Sequence, residues 1–336
     1  MICLTMIARN EAHVVERALA SALPLADVYY IQDNGSTDDT VDRVKAALPK
    51  DPHSGRVETV PWVDFASNRT AALRRAEEVH RLEPKDYHLI LDADDVVEAA
   101  EGWPESVSLA RADAFELTVV QGGVSFPRTH LLRADGLWRW RCPVHEYMHR
   151  DGDGPCVVEA IDPSQVVYRS LGGGQRSLDP EKYSRDAALL EKFLATVSPS
   201  DRDLIPRATF YLAQSYRDAG QAEAAARNYT ARYEERGGYA QERYVSCLEM
   251  AALNPTNLVS WYRRAFQLDP FRVEAPFWLA KHYAEVPLQE GEALLWATYA
   301  ASLPPRGDAL FSHPETYGWA KNLLDYLRNQ LTVSRW

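Results

Sequence analysis

The sequence predicts an α/β domain with a mostly parallel sheet, followed by an all-helical domain, with the boundary between residues 175 and 176. Three observations predict it. Short apolar runs alternate with helical periodicity over the first half of the chain. Polar clusters close those runs at Arg9-Asn10, Asp33-Asn34 and Asp92-Ala93-Asp94. From Asp179 onward the chain is rich in Ala, Leu, Tyr and Glu at helical spacing.

Ile2 to Ala8 is an apolar, partly β-branched run and reads as the first strand. Glu11 to Ala22 reads as a helix, with Val14, Val15, Ala18 and Leu19 on one side. Val28 to Ile31 is the second strand, ending in the turn composition Asp33-Asn34-Gly35-Ser36. Ser36 or Thr37 can cap the next helix, which carries Val41, Val44 and Leu48. Val57 to Val60, Ala66 to Leu82 and Tyr87 to Leu91 continue the rhythm as strand, helix, strand. Ala114 to Val120 and Gly123 to Leu132 read as two strands joined at Gly122-Gly123, and Val166 to Tyr168 as a last strand. Gly172-Gly173-Gly174-Gln175-Arg176 is a flexible loop and a natural boundary.

The helical half shows a period. Leu212-Ala213-Gln214-Ser215-Tyr216 recurs as Leu279-Ala280-Lys281-His282-Tyr283, 67 residues on, and Pro270 and Pro304 lie 34 apart. That spacing fits degenerate tetratricopeptide repeats, whose period is about 34 residues. Such repeats stack into a concave surface that commonly holds a peptide or another chain. At repeat spacing, Tyr229, Tyr233, Trp261, Tyr262, Trp278 and Trp296 are expected in the core.

Composition narrows the function. A net charge of -11 argues against a nucleic-acid or membrane-surface binder, which needs dense Lys and Arg. Cys3, Cys142, Cys156 and Cys247 are scattered with no CxxC pair, so reduced thiols and a cytoplasmic location are expected. The chain opens on a strand-like run with no room for a signal peptide, and no apolar stretch approaches ~18 residues, so no membrane span is expected.

In parallel sheets ligands bind at the carboxyl ends of strands, so the three polar clusters fall on one rim. Leu91-Asp92-Ala93-Asp94-Asp95 sets three carboxylates within four residues there. In an extended chain Asp92 and Asp94 point to one side. Two such carboxylates suit Mg²⁺ or Mn²⁺ completed by substrate phosphates. The alternative is a solvated acidic turn leading into a helix at Val96, capped by Asp95.

Leu4-Thr5-Met6-Ile7-Ala8-Arg9-Asn10-Glu11, then Gln32-Asp33-Asn34-Gly35-Ser36-Thr37-Asp38-Asp39-Thr40, then Leu91-Asp92-Ala93-Asp94-Asp95 resemble, in order and spacing, the opening motifs of family 2 glycosyltransferases of the GT-A fold. Pro61-Trp62-Val63-Asp64-Phe65-Ala66-Ser67-Asn68-Arg69 resembles a motif of the subgroup fused to tetratricopeptide repeats, which includes bacterial peptide S-glycosyltransferases. The resemblance covers residues 1 to about 150. It implies a metal-dependent, inverting hexosyltransferase using a nucleotide sugar, most simply a UDP-sugar. Ala8, Arg9, Asn10 and Glu11 would line the nucleotide pocket, with Asp33, Gly35 and Ser36 at the uracil or ribose. Asn68 and Arg69 would sit near the base and diphosphate. Asp92 and Ala93 would touch the ribose, and Asp92 and Asp94 the metal bridging the phosphates. Arg176, in a loop able to close over the site, would assist the diphosphate.

Inversion needs one general base on the acceptor side. Pro143-Val144-His145-Glu146 supplies the best-placed pair. Glu146 is the expected base and His145 a metal or phosphate partner, with His149 and Asp135 in reserve. Two features depart from the family. Val167-Tyr168-Arg169 stands where many relatives carry a metal-binding His, and Arg139-Trp140 lacks the Gln of a Q-x-x-R-W motif. With no membrane helices either, a processive synthase is not expected. The expected acceptor is a peptide or protein, with a saccharide second, and the helical half is expected to bind it or to form a homodimer. A reading from another class is a repeat adaptor carrying an inactive transferase domain. A nucleotidyltransferase would want glycine after the first strand, which Ala8-Arg9-Asn10-Glu11-Ala12 lacks.

Overall fold

The computed structural model describes residues 1–49, 51, 54–103, 112–306 and 313–333. The chain divides into two compact units, Met1–Lys182 and Tyr183–Trp336.

The first unit runs β1 (Ile2–Ala8), α1 (Val15–Ala22), β2 (Val28–Asp33), α2 (Thr40–Ala47), β3 (Gly55–Thr59), α3 (Phe65–His80), β4 (Tyr87–Ile90) and β5 (Val96–Ala99). It continues with β6 (Ala114–Gln121), β7 (Val124–Arg133), β8 (Trp138–Arg141), β9 (Tyr147–Arg150), β10 (Val158–Ala160), β11 (Val166–Arg169) and the short α4 (Gln175–Leu178). Among the described residues nine strands form one sheet in the order β3-β2-β1-β4-β7-β6-β11-β5, with β10 on the same edge of β6 as β11. The β3, β2, β1 and β4 strands are mutually parallel, so their carboxyl ends share one rim. β7 enters antiparallel to both β4 and β6.

Alternation along β1 makes three layers. Leu4 and Met6 face α1, packing with Val15, Ala18, Leu19 and Ala22. Cys3 and Tyr30 face the other way, onto Ala72 and Ala76 of α3. The hairpin β8–β9 is a separate two-stranded sheet. Its Trp138 packs with Leu73, Ile90 and Leu132, which lays the hairpin along α3.

Three local expectations change. The first helix starts at Val15, because Val14 and Val15 donate their amides to the Glu11 carbonyl in a turn. The second starts at Thr40 without a side-chain cap, because Ser36 and Thr37 bond to Asn10 across the rim. Val96 opens a strand, not a helix, paired antiparallel with β11. The turn at Gly122-Gly123 holds both glycines at positive φ, 54° and 88°, as a tight two-residue hairpin requires.

The second unit is all-helical: α5 (Lys182–Thr196), α6 (Ile205–Asp218), α7 (Ala222–Glu234), α8 (Ala240–Leu253), α9 (Leu258–Leu268), α10 (Glu274–Ala284), α11 (Glu290–Ser302) and α12 (Glu315–Val333). From α6 to α12 each helix packs on the next. The recurring five-residue stretches lie in α6 and α10. Tyr229 and Trp261 are buried, and small buried residues such as Ala225, Ala293 and Ala297 let the helices approach. Among the described residues no helix is long and apolar enough to cross a membrane.

Candidate active site

The rim begins with two turns stitched together. At the β1 end Asn10 takes φ 58°, a left-handed conformation that asparagine tolerates. Its amide donates to Ser36 Oγ at 2.9 Å, and its Oδ1 accepts from Thr37 N at 2.7 Å. Glu11 N donates to Thr40 Oγ1 at 2.7 Å. Asp33, buried at the end of β2, accepts from the amides of Gly35 and Ser36 at 3.1–3.3 Å, and Gly35 takes φ 85°. Ala8 is buried and its carbonyl accepts from Asn34 N, whereas Arg9 is exposed.

Asn68 is buried, and its amide group is spent on the chain. Oδ1 accepts from Val63 N at 2.8 Å and Nδ2 donates to the Pro61 carbonyl at 3.0 Å. It shapes the loop before α3, whose start Asp64 caps through Ser67 N at 2.7 Å. Arg69, one residue on, reaches the rim. Its terminal nitrogen donates to Asp92 Oδ1 at 2.5 Å and its Nε to Glu146 Oε1 at 2.9 Å, and its guanidinium lies 5.0 Å from the Trp140 ring. Burial alone would raise the Asp92 carboxyl. The guanidinium groups of Arg69 and Arg128 outweigh that and hold it at about 2.

The three clustered carboxylates face different ways. Asp95 is buried: Oδ2 accepts from the Tyr168 hydroxyl at 2.9 Å and Oδ1 from Leu171 N at 2.9 Å. Burial and the Asp92 charge raise its carboxyl. Tyr168 also accepts from Asp92 N at 3.2 Å, so one hydroxyl ties both ends of the acidic turn. Ala93 is buried between them. Asp94 Oδ2 accepts from Gly174 N at 3.0 Å, and Gln175 N donates to the Glu11 carboxylate at 3.1–3.2 Å. Burial, then the Asp94 charge, push the Glu11 carboxyl up to about 7 despite that bond. The glycine-rich loop thus lies against the rim, with the Arg176 guanidinium 4.3 Å from the Phe65 ring.

The loop of the β8–β9 hairpin carries the remaining candidates. Pro143 accepts from Phe65 N at 3.3 Å, which holds this loop at the start of α3. Cys142 and His145 take positive φ, 76° and 53°, a costly pair for residues other than glycine. Glu146 is 14% exposed, and Oε2 makes no hydrogen bond among the described residues. His145 is exposed. His149 and Asp135 are engaged elsewhere, with Asp151 and Arg150.

Among the described residues, no three His, Cys, Asp or Glu gather as a metal-holding group. Asp92 is committed to arginine, while Asp94 keeps one oxygen without a hydrogen bond among the described residues. One or two carboxylates completed by phosphate and water is the donor set Mg²⁺ and Mn²⁺ accept, so Asp94 fits such an ion only in company with a diphosphate.

The first unit is thus an α/β domain with a polar rim at the carboxyl ends of its parallel strands. Residues 3–156 match the model of Glycosyl transferase family 2. Two crystal structures of S. aureus TarS 1-349, one in complex with UDP-GlcNAc, are each 12% identical and cover 92% of this chain and 94% of theirs, at TM-scores of 0.39 and 0.37. No curated protein matches the chain in sequence.

Sequence reasoning missed Arg128, His130 and the inward role of Asp95. The first two lie on β7, whose insertion beside β4 no local pattern announces.

Proposed function

We propose that this chain moves a sugar, with inversion, from a UDP-sugar to a peptide or protein acceptor in the cytoplasm. The observation that carries the reading is Arg69, which joins Asp92 on the nucleotide rim to Glu146 on the hairpin loop. A candidate base thereby stands one side chain away from the candidate donor site.

Ala8 to Glu11, with the Asp33–Ser36 turn, form the nucleotide side of the pocket. Glu146 takes the proton from the acceptor nucleophile through Oε2. The nucleophile bonds to the anomeric carbon as the bond to the diphosphate breaks, and the nucleoside diphosphate leaves. Asp94 would hold a divalent cation, which when bound would supply charge neutralisation to the phosphates. His145, exposed beside Glu146, would serve as a metal or phosphate partner. Sequential packing from α6 to α12 supports a stacked, tetratricopeptide-like array that presents the acceptor or pairs two copies. Four free cysteines support a reducing compartment.

The test is calorimetric titration of UDP and GDP, with and without Mn²⁺, on wild type and Glu146→Gln. UDP binding retained in the variant, with transfer reduced at least a hundredfold, is the expected result. Undiminished transfer in Glu146→Gln would move the base elsewhere. No nucleotide binding by wild type would leave an adaptor with an inactive transferase domain.

A further inference from the structure

Continuing the antiparallel register of β7 on β4, in which Leu89 meets Leu131, leads past the end of β4 and sets Arg128 alongside Asp92. The side chain confirms it: a terminal nitrogen of Arg128 lies 3.8 Å from Asp92 Oδ2. That is an ion pair but too long for a hydrogen bond. The other contacts of Arg128 fix its direction. Nε donates to His130 Nε2 at 2.9 Å, and the guanidinium stacks 5.0 Å from the Tyr168 ring centre. The side chain is 41% exposed, and its terminal N–H groups make no hydrogen bond among the described residues. An arginine held at its Nε and its face, with its donor edge open, is prepared for an anion.

His130 is a device for that holding. The β6–β7 register passes from Phe115–Leu131 to Glu116–Thr129, so His130 is the extra residue of a β-bulge. Bulges re-aim side chains and recur beside active sites. His130 is buried, stacks on Tyr168 with ring centres 3.8 Å apart, and bonds through Nδ1 to the Ile90 carbonyl at 3.0 Å. With Nδ1–H donated there, the Nε2 lone pair is left to accept from Arg128. Burial, then the neighbouring Arg128 charge, push the imidazole down to about 3, so this arrangement holds through neutral pH.

We infer that Arg128 binds the donor diphosphate and takes up the charge that grows on it as the nucleoside diphosphate departs, with His130 as its positioning residue. This rests on the transferase reading above. Charge arithmetic favours it. Asp92 and Glu146 are balanced by Arg69 and Arg128, while the Asp94 and Glu11 carboxylates that face the loop make no ion pair among the described residues. A diphosphate arriving there needs cationic groups already aimed, and the terminal donors of Arg128 make no hydrogen bond among the described residues.

The test pairs a nucleoside diphosphate with its nucleoside. UDP and uridine are titrated into wild type, Arg128→Gln, Arg128→Lys and His130→Phe, which keeps the ring on Tyr168 but removes the nitrogen that holds Arg128. In Arg128→Gln, UDP affinity is expected to fall at least tenfold while uridine affinity is unchanged. Arg128→Lys recovers only part, because a point charge replaces a fork. His130→Phe shifts the UDP-to-uridine ratio in the same direction, which a merely structural role would not do. Equal losses for both ligands, or none, overturn the inference and leave the transferase reading standing. If His130→Phe does not fold, Arg128→Gln still decides. Wild type that binds GDP and guanosine instead moves the comparison to that pair. Wild type that binds neither nucleotide overturns both readings.

Discussion

Replacing Tyr168 by Phe removes one oxygen and keeps the ring. The stack on His130 and the face offered to Arg128 therefore survive. Two partners are lost: Asp92 N, half-buried, which donates to the hydroxyl at 3.2 Å, and the buried Asp95 Oδ2, which accepts from it at 2.9 Å. Asp95 is 4% exposed, so water cannot readily replace the donor. A buried hydrogen bond to a charged group, with its partner left unsatisfied, costs about 2–3 kcal/mol. For a unit of this size that corresponds to roughly 5–10 °C in melting temperature. Urea unfolding of the full chain measures the loss, and hydrogen exchange at the Asp92 and Leu171 amides localises it to the acidic turn. Nucleotide affinity should weaken as well, because the turn that carries Asp92 and Asp94 loses its inner tie. A stability change under about 0.5 kcal/mol, with exchange at those amides unaltered, would refute the tie.

Two further predictions address the neighbouring carboxylates. The Asp92 carboxyl stands near 2 in the fold against an ordinary 3.8, so its ion pairs stabilise the fold above about pH 4, and that contribution is lost as pH falls through 2. A shift of this size is worth about 2 kcal/mol. In urea titrations the stability gap between wild type and Asp92→Asn should therefore narrow by about that amount from pH 4 to pH 2, and a constant gap would deny the pairing with Arg69 and Arg128. Gly174 adopts φ -61°, open to any residue, but a Cβ there would lie 2.7 Å from Asp94 Oδ2 and 3.0 Å from its Cγ. Gly174→Ala is expected to lift the loop off Asp94, seen as faster exchange of the Gly174-to-Ser177 amides and a several-fold loss of nucleotide affinity; unchanged exchange would show that the loop is held elsewhere.

Local pattern exposed the parallel half of the sheet because each strand there is a short apolar run closed by its own turn residues. β1 falls on Ile2–Ala8 as read, and the clusters at Arg9-Asn10, Asp33-Asn34 and Asp92-Asp94 do share a rim. The same pattern could not show what crosses between elements. Asn68 reads as a ligand residue, yet both ends of its amide close a backbone loop five to seven residues upstream. Ser36 reads as a helix cap, yet its hydroxyl serves a residue 26 positions earlier. β7, lodged between β4 and β6, carries Arg128 and His130 to the site through a bulge that depends on pairing partners rather than on composition.

The run of acidic residues at 92–95 shows how such pairing resolves a cost that sequence can only pose. Like charges this close would repel if all met the same ligand. The fold separates their surroundings. Asp95 turns inward to a hydroxyl and an amide, and helps fix the turn. Asp92 lies between two guanidinium groups and holds Arg69 toward Glu146. Among the described residues the Asp94 carboxylate accepts one hydrogen bond, from a backbone N–H of the glycine-rich loop. Each neighbour lowers the repulsion felt by the other two, so one carboxylate can remain open to a cation and a phosphate without the turn coming apart. The repulsion is reduced before any ligand arrives, by Tyr168 beneath and the two arginines beside, though the Asp92 charge still raises the Asp95 carboxyl. The site's acidity is a property of that scaffold as much as of the carboxylates themselves.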